Sequence, residues 1–253
     1  MKLDFDGFPI EPISRYISKQ RLRSLFEDGL YIPNLTQFED RWEGLLGVKL
    51  RQRASSERGI RYSFEQKDYE DVFRWVHASC WYQGSEENFV MWRSYGQSEK
   101  DSVQIETTTS RLEQLYRQSD DCYTAYLNEV RYFKPGEEPK HLQVPSLITP
   151  WGMKRPFFGP DSPDLLDLLP ELFSKYEHFS DEREVRLACV NKRHGDQTSD
   201  AGLLLDIKDP SFFIRRVRVS PFAGAQEHSE IQEIVSQYIP NLEVERSSIQ
   251  IRT

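Results

Sequence analysis

The stretch FSDEREVRLACV, residues Phe179–Val190, carries the alternating pattern from which the predicted fold is built. Successive side chains of a β-strand point to opposite faces of the sheet. One face of this segment carries the apolar residues Val185, Leu187 and Cys189. The other face carries the charged residues Glu182, Glu184 and Arg186. We therefore predict a strand with one apolar face and one charged face.

The charged face has two interpretations. It is either the solvated face of a half-exposed antiparallel strand, or part of a polar cleft that uses a Glu-x-Glu pair. Burying three charges is costly unless each of them is paired. A simple hypothesis for Arg186 is an ion pair with Glu184 on the same strand face. The sequence leaves both interpretations open.

Composition limits the class of protein. The chain has 253 residues, of which 38% are hydrophobic and 29% are charged, so we predict a globular protein with a sizeable core. Aromatic residues make up 13% of the chain, and side chains of this size supply much of the apolar burial. The formal net charge of -8 argues against general nucleic-acid binding through phosphate contacts.

Several absences point to a cytoplasmic protein that does not cross a membrane. The sequence has no apolar run of about 18 residues, the length a membrane-spanning helix needs. Its first residues, MKLDFD, lack the charged-then-apolar layout of a signal peptide. Cys80, Cys122 and Cys189 are dispersed and odd in number, which favours a reducing compartment over a disulfide framework.

Most common catalytic signatures are also missing from the sequence. The five histidines show no metal-ligand spacing, so no metal is expected. There is no glycine-rich phosphate loop and no Gly-x-Ser-x-Gly elbow. A function must therefore be argued from less common arrangements of residues.

The pattern of elements predicts one α+β domain over residues 1–253, with a mixed, mainly antiparallel sheet and flanking helices. Predicted strands are Ile13–Ile17, Leu30–Ile32, Ala78–Tyr82, Ser102–Thr107, residues 122–133, Phe179–Val190, Leu203–Ile207 and Ile214–Val219, with short edge strands around Val244 and Ile249. Predicted helices begin after Ser18, Ser85 and Ser110 and also cover about residues 65–77 and 227–238. Proline-rich residues 134–163 are predicted as a long loop that is functional or covers a cleft.

Almost the whole chain resembles a bacterial family that is known only as domain of unknown function 2971. The resemblance rests on the order of weak motifs: Arg15-Tyr16, Leu22–Gly29, Leu30–Ile32, Phe38–Glu43, Cys80-Trp81, Met91–Tyr95, Glu182–Arg186 and Val217–Pro221. This resemblance implies the α+β fold, and it implies no activity.

A second resemblance is to the ADP-ribosyltransferase superfamily. One class of those enzymes has an Arg on its first strand, a Ser-Thr-Ser-like strand and a late Glu-x-Glu, and this chain offers Arg15, Thr107–Thr109 and Glu182/Glu184 in that order. The resemblance implies that Arg15 clamps the NAD pyrophosphate, that Glu184 stabilises the oxocarbenium-like transition state and that Glu182 orients the acceptor or acts as its base. The residues implied to bind NAD are Arg15, Tyr16, Trp92, Tyr95, Thr107 and Thr108.

Each of these residues also has a structural interpretation. Arg15 can be a surface residue, and Trp92 can belong to the core while Tyr95 points its hydroxyl into a cleft. The threonines can be a strand end followed by a helix cap. The structural and functional interpretations of these side chains both stay open.

Three functional hypotheses follow. The first is an NAD-consuming enzyme that transfers ADP-ribose to an unknown macromolecular acceptor or hydrolyses NAD, as a bacterial toxin or anti-phage effector. The second is a module that binds a nucleotide or a protein without chemistry. The third is a metal-dependent nuclease, for which Asp40, Glu43, Glu182 and Glu184 could supply ligands.

Overall fold

The computed structural model describes residues 12–38, 76–96, 100–118, 123–137, 172–191 and 202–251. The predicted fold class is confirmed, because helices accompany a mainly antiparallel sheet of six strands. Its strands are β1 Pro12–Ser18, β3 Val76–Gln83, β4 Ser102–Thr108, β5 Tyr123–Glu129, β8 Glu184–Asn191 and β10 Arg216–Val219. Their order across the sheet is β10-β4-β1-β3-β8-β5.

Two smaller sheets and several helices complete the described part of the chain. β2 (Leu30–Ile32) pairs with β9 (Leu203–Leu205), and β6 (Arg131–Phe133) pairs in parallel with β7 (Ser174–Tyr176). The α-helices are α1 Lys19–Glu27, α2 Phe89–Ser94, α3 Thr109–Arg117, α4 Pro210–Phe213 and α5 Ala225–Tyr238. Short 3-10 helices are η1 Leu35–Gln37 and η2 Glu177–Glu182.

The chain divides into two compact units, each built from three segments. The first unit contains Met1–Asp6, Ile32–Ser79 and Asp121–Leu203. The second unit contains Gly7–Tyr31, Cys80–Asp120 and Leu204–Thr253. The first unit has a buried apolar cluster of Leu35, Val76, Ala78, Leu172, Phe173, Ala188 and Val190. A buried cluster in the second unit consists of Tyr16, Tyr82, Met91 and Trp92.

The segment from β1 to β2 follows the sequence prediction closely. The Ser18 side chain accepts a hydrogen bond from Arg21 N and thereby caps α1 at the predicted residue. Leu22, Leu25 and Phe26 form the buried stripe of the helix. Gly29 then adopts a φ of 113°, and a Cβ atom here would lie 2.3 Å from the Leu205 carbonyl oxygen. Glycine is therefore required at this turn both by its backbone conformation and by close approach.

Two cap predictions were wrong by a few residues. Asn88, rather than Ser85, caps α2, because its side-chain oxygen accepts hydrogen bonds from Val90 N and Met91 N. Thr108, rather than Ser110, caps α3 by accepting from Arg111 N. In both cases a polar side chain close to the predicted cap accepts the hydrogen bonds of the first N–H groups of the helix.

Several strand boundaries also differ from the prediction. The predicted strand over residues 122–133 is split into β5 and β6 at Val130, whose N–H donates to the Glu184 carbonyl oxygen. Residues 76 and 77, predicted as the end of a helix, begin β3. The strand predicted from Ile214 begins at Arg216, after the short helix α4. Near Val244, the described residues form an isolated bridge between Arg218 and Glu245 in place of an edge strand.

The largest correction concerns the Glu-x-Glu segment. Glu182 ends the 3-10 helix η2, and β8 begins only at Glu184, so the two carboxylates do not share one strand face as predicted. Both faces of Glu184–Val190 are buried, which excludes the solvated-face interpretation. The predictions for Asp40, Glu43 and the proline-rich loop beyond residue 137 lie outside the described residues. No helix among those that the structure describes is long and apolar enough to cross a membrane.

Candidate functional site

Backbone pairing in the first unit brings Tyr132, Lys175 and the start of β8 together. Tyr132 and Lys175 are Cα partners in the parallel pairing of β6 with β7. The Glu184 N–H donates to the Tyr132 hydroxyl oxygen at 2.9 Å, and the Val130 N–H donates to the Glu184 carbonyl oxygen at 2.8 Å. These bonds fix the first residue of β8 against the β6–β7 ribbon.

The carboxylate of Glu184 is buried and bound on both oxygens. Arg186 Nε donates to Oε1 at 2.6 Å and Nη2 donates to Oε2 at 3.0 Å, which is the forked geometry that a guanidinium prefers. Arg186 is itself fully buried and also donates from Nη1 to the Leu172 carbonyl oxygen at 2.6 Å. The predicted Glu184–Arg186 ion pair is therefore confirmed.

Lys175 connects the two glutamates. Its Nζ lies 2.8 Å from Glu184 Oε2 and 2.7 Å from Glu182 Oε2. The same ammonium lies 5.6 Å from the ring centroid of Phe179, within cation–π range. We call Lys175, Glu182, Glu184 and Arg186 the glutamate–lysine cluster. Its two cations and two anions make it neutral as a set.

A strained residue separates the two glutamates. Arg183 has φ 38° and ψ 53°, and no other non-glycine residue in the described ranges has a positive φ. This left-handed conformation turns the chain from η2 into β8, so that the side chains on either side of Arg183 reach one lysine. Such a conformation costs roughly 1–3 kcal/mol in a non-glycine residue and tends to persist where it serves a function.

Burial changes the acidity of Tyr132 beside the cluster and of Cys189 farther along β8. Burial raises the pKa of Tyr132 to about 12, and the Glu184 and Glu182 carboxylates raise it as well, so the phenol keeps its proton at neutral pH. Burial also raises the pKa of the Cys189 thiol on β8. Neither group is therefore ionised enough to act as a nucleophile at neutral pH.

The second unit holds a different polar arrangement, which is centred on Tyr16. The Tyr16 ring lies 4.8 Å from that of Trp92 in an edge-to-face contact. Its hydroxyl oxygen accepts from Asn88 N at 2.9 Å and from Gln104 Nε2 at 3.1 Å. Burial raises the pKa of Tyr16 well above its ordinary value. Gln104 Oε1 in turn accepts from Arg218 Nη1 at 2.9 Å.

Glu87, whose side chain is 3% exposed, is the anion of this second arrangement. It accepts from Trp92 Nε1 at 3.2 Å, from Ser248 N at 2.7 Å and from the hydroxyls of Ser247 and Ser248. Burial favours a higher pKa, but these hydrogen bonds and the nearby Arg218 charge outweigh it and lower the pKa of Glu87. We call Tyr16, Glu87, Trp92, Gln104 and Arg218 the tyrosine–glutamine network.

The residues implied to bind NAD lie on both faces of the sheet within the second unit. Neighbouring residues of a strand point to opposite faces, so Arg15 and Tyr16 diverge, as do Thr107 and Thr108. Arg15 is half-buried, lies 5.8 Å from the Trp81 ring centroid and has its pKa lowered by burial.

The remaining four residues of that set have defined local contacts. Thr107 donates its hydroxyl hydrogen to the Phe213 carbonyl oxygen, and Thr108 caps α3. Trp92 is fully buried, whereas Tyr95 is 46% exposed at the end of α2. Tyr16 and Trp92 are brought into contact, and Glu182 and Glu184 are joined through Lys175.

Sequence reasoning missed the partners that hold both arrangements. Lys175 and Tyr132 meet only because β6 and β7 pair, and Glu87 meets Ser248 across 161 positions of sequence. A local motif contains no signal for contacts of this range.

No protein-family model matches this chain, and no curated protein matches it. The two family resemblances therefore stay predictions. Within the ranges that the structure describes, no group of three or more His, Cys, Asp or Glu side chains could hold a metal ion.

Proposed function

We propose that the protein is an NAD-consuming enzyme that transfers ADP-ribose to an acceptor or hydrolyses NAD. The observation that supports this proposal is the glutamate–lysine cluster. The Glu184 carboxylate is only 4% exposed and is held in a fixed orientation by the forked contact with Arg186. A fixed anion of this kind is what stabilises positive charge that develops in a transition state.

The proposed reaction breaks the bond between ribose C1′ and the nicotinamide nitrogen. The bonding electron pair goes to that nitrogen and neutralises the pyridinium, while positive charge develops on the ribose ring. The Glu184 carboxylate stabilises this charge. Glu182 then accepts the proton of the water or acceptor nucleophile that attacks C1′. The strained Arg183 between them supports the proposal, because strain of this kind accumulates at functional sites.

The proposed NAD contacts of Arg15, Tyr16, Trp92, Tyr95, Thr107 and Thr108 rest on the superfamily resemblance alone. So does the proposed role as a bacterial toxin or anti-phage effector that acts on a macromolecular acceptor. The proposed cytoplasmic location rests instead on the three dispersed cysteines.

The test measures nicotinamide release from NAD by the wild type, Glu184→Gln and Glu182→Gln. We expect release by the wild type and a loss of about 100-fold or more in Glu184→Gln, the scale on which oriented electrostatic groups act. Glu129→Gln, an exposed carboxylate of the same unit, is the matched control and should keep wild-type activity. Circular dichroism checks that each variant is folded. If Glu184→Gln does not fold, nicotinamide release is compared between the wild type and Glu182→Gln, because Glu182 is less buried.

A second candidate function is a nucleotide- or protein-binding module without chemistry. Both oxygens of Glu184 already accept from Arg186 and Lys175, and this arrangement equally suits an ion network that only holds the fold. The same experiment separates the two functions. Stabilisation of the wild type by NAD without release of nicotinamide would support the binding module, and release that survives Glu184→Gln would contradict the proposed catalytic role.

A further inference from the structure

We propose that Lys175 is an internal counter-ion that keeps the cation site of the glutamate–lysine cluster closed and must leave before a cationic substrate group can enter. This inference rests on the proposed function and adds regulation to the same site. Three features of Lys175 support it: the position of its ammonium, the groups around that ammonium and the mobility of the side chain.

The surroundings of Lys175 Nζ are those of a cation site. One carboxylate oxygen of Glu184 lies 2.8 Å away and one of Glu182 lies 2.7 Å away. The face of Phe179 closes a third side at 5.6 Å from its ring centroid. Two carboxylates and an aromatic face are the chemistry by which proteins bind organic cations such as a pyridinium.

The charges of the cluster make Lys175 and a cationic ligand mutually exclusive. With Lys175 in place, its charge and that of Arg186 balance the two glutamates. When Lys175 leaves, Arg186 still holds Glu184 through two hydrogen bonds, and the Oε2 atoms of Glu182 and Glu184 lose the ammonium that a cationic group would replace. A positive group cannot approach while the ammonium is present, because like charges in a buried site repel strongly.

Of the two cations, Lys175 is the one that can move. Its side chain is 12% exposed, whereas that of Arg186 is fully buried and also binds the Leu172 carbonyl oxygen. A lysine has a flexible four-carbon stem, and its compact ammonium is strongly hydrated, so an exit into water preserves its solvation. Phe179 is 42% exposed, which places this side of the cluster at the surface.

The test uses the 1-methylnicotinamide cation as probe and neutral nicotinamide as its matched control ligand. Binding to the full chain is measured by calorimetry for the wild type, Lys175→Met and Lys175→Gln. We expect both variants to bind the cation about tenfold more tightly than the wild type, within the usual range of coupling between sites. Neutral nicotinamide should show no such gain. Lys208→Met, which removes an exposed lysine elsewhere, should behave as the wild type.

Lys175→Gln covers the case in which Lys175→Met fails to fold, because its amide still donates hydrogen bonds to the carboxylates. Equal cation affinity in the wild type and Lys175→Gln overturns the inference. Failure of the inference is distinguishable from failure of the proposed enzyme. Gain of cation binding without nicotinamide release in any variant supports the role of Lys175 and contradicts the enzyme. Release by the wild type that is lost in Lys175→Gln, with no gain in cation binding, overturns the role of Lys175 as a closing group.

Discussion

Each of the two units buries the side chain of a glutamate. The two carboxylates differ in whether charged or neutral groups donate hydrogen bonds to them. In the first unit, Glu184 is held by the charged side chains of Arg186 and Lys175. In the second unit, Glu87 is held by neutral donors from Trp92, Ser247 and Ser248, and its Oε2 lies 3.9 Å from Arg218 Nε.

The difference determines how each arrangement fails. A buried carboxylate that loses its main counter-ion stays charged in the low-dielectric interior, and this greatly lowers the stability of the fold. An ion that is held by several neutral donors keeps the others when one is lost. We therefore expect the glutamate–lysine cluster to be the more fragile of the two arrangements and the one better suited to a switch.

The largest effect is expected from Arg186→Met. This change leaves the Glu184 carboxylate buried without its forked partner, and we expect a loss of about 3–5 kcal/mol in the free energy of unfolding, measured by urea denaturation. Arg131→Met, at an exposed arginine of the same unit, should cost less than about 0.5 kcal/mol. The double variant Arg186→Met/Glu184→Leu should recover much of the loss, since it removes both charges. A single variant as stable as the wild type would contradict the comparison.

A smaller loss is expected from Glu87→Ala in the second unit. The Trp92 and Ser248 N–H groups lose their acceptor, which costs about 1–3 kcal/mol. Glu233→Ala, an exposed glutamate on α5, is the control and should change the free energy of unfolding by about 0.5 kcal/mol or less. If Glu87→Ala lowers the free energy of unfolding as much as Arg186→Met does, the expected difference in fragility between the two arrangements is contradicted.

Acid should weaken the Glu87 arrangement in a defined direction. The folded-state pKa of Glu87 is lowered from 4.5, so its ionised form stabilises the fold above that pH. This stabilisation is lost as the pH falls from 4.5 through the lower folded-state value. Glu87→Gln lacks the titrating group. The difference in free energy of unfolding between the wild type and Glu87→Gln should therefore shrink as the pH is lowered from 7 to about 3. If the difference stays constant over this range, the pKa of Glu87 is the same in the folded and unfolded states, and the prediction is wrong.

The sequence predicted local features better than long-range ones. The N-cap at Ser18 and the strand Leu30–Ile32 depend on neighbours within a few residues, and both are confirmed. The Glu184–Arg186 pair was also predictable, because the two residues are two apart on one strand. Alternation alone extended β8 back to Phe179, since the sequence does not reveal that Arg183 adopts a left-handed conformation.

The candidate site was only partly predictable, because it depends on contacts between residues that are far apart in sequence. Glu182 and Glu184 were identified, but their link through Lys175 requires the parallel pairing of β6 with β7. Arg15 and Tyr16 are both assigned to NAD by the superfamily resemblance. Adjacent residues of a strand nevertheless face opposite sides of the sheet, so the period of two separates them.

The smallest effect is expected from Lys19→Met, and it tests whether burial rather than charge makes the first arrangement fragile. Lys19 pairs with Glu230 at 2.8 Å and with Asp101 at 3.2 Å, so it bridges two carboxylates as Lys175 does, but its side chain is 30% exposed. Solvated pairs contribute about 0–1 kcal/mol, so the loss should stay below about 1 kcal/mol. It should vanish at 1 M salt, where the Debye length falls to about 3 Å. The loss in Arg186→Met should persist in the same salt, because buried charges are screened much less. Equal salt sensitivity of the two variants would mean that the buried cluster behaves like a surface ion pair, and the expected fragility of the first unit would then lose its physical basis.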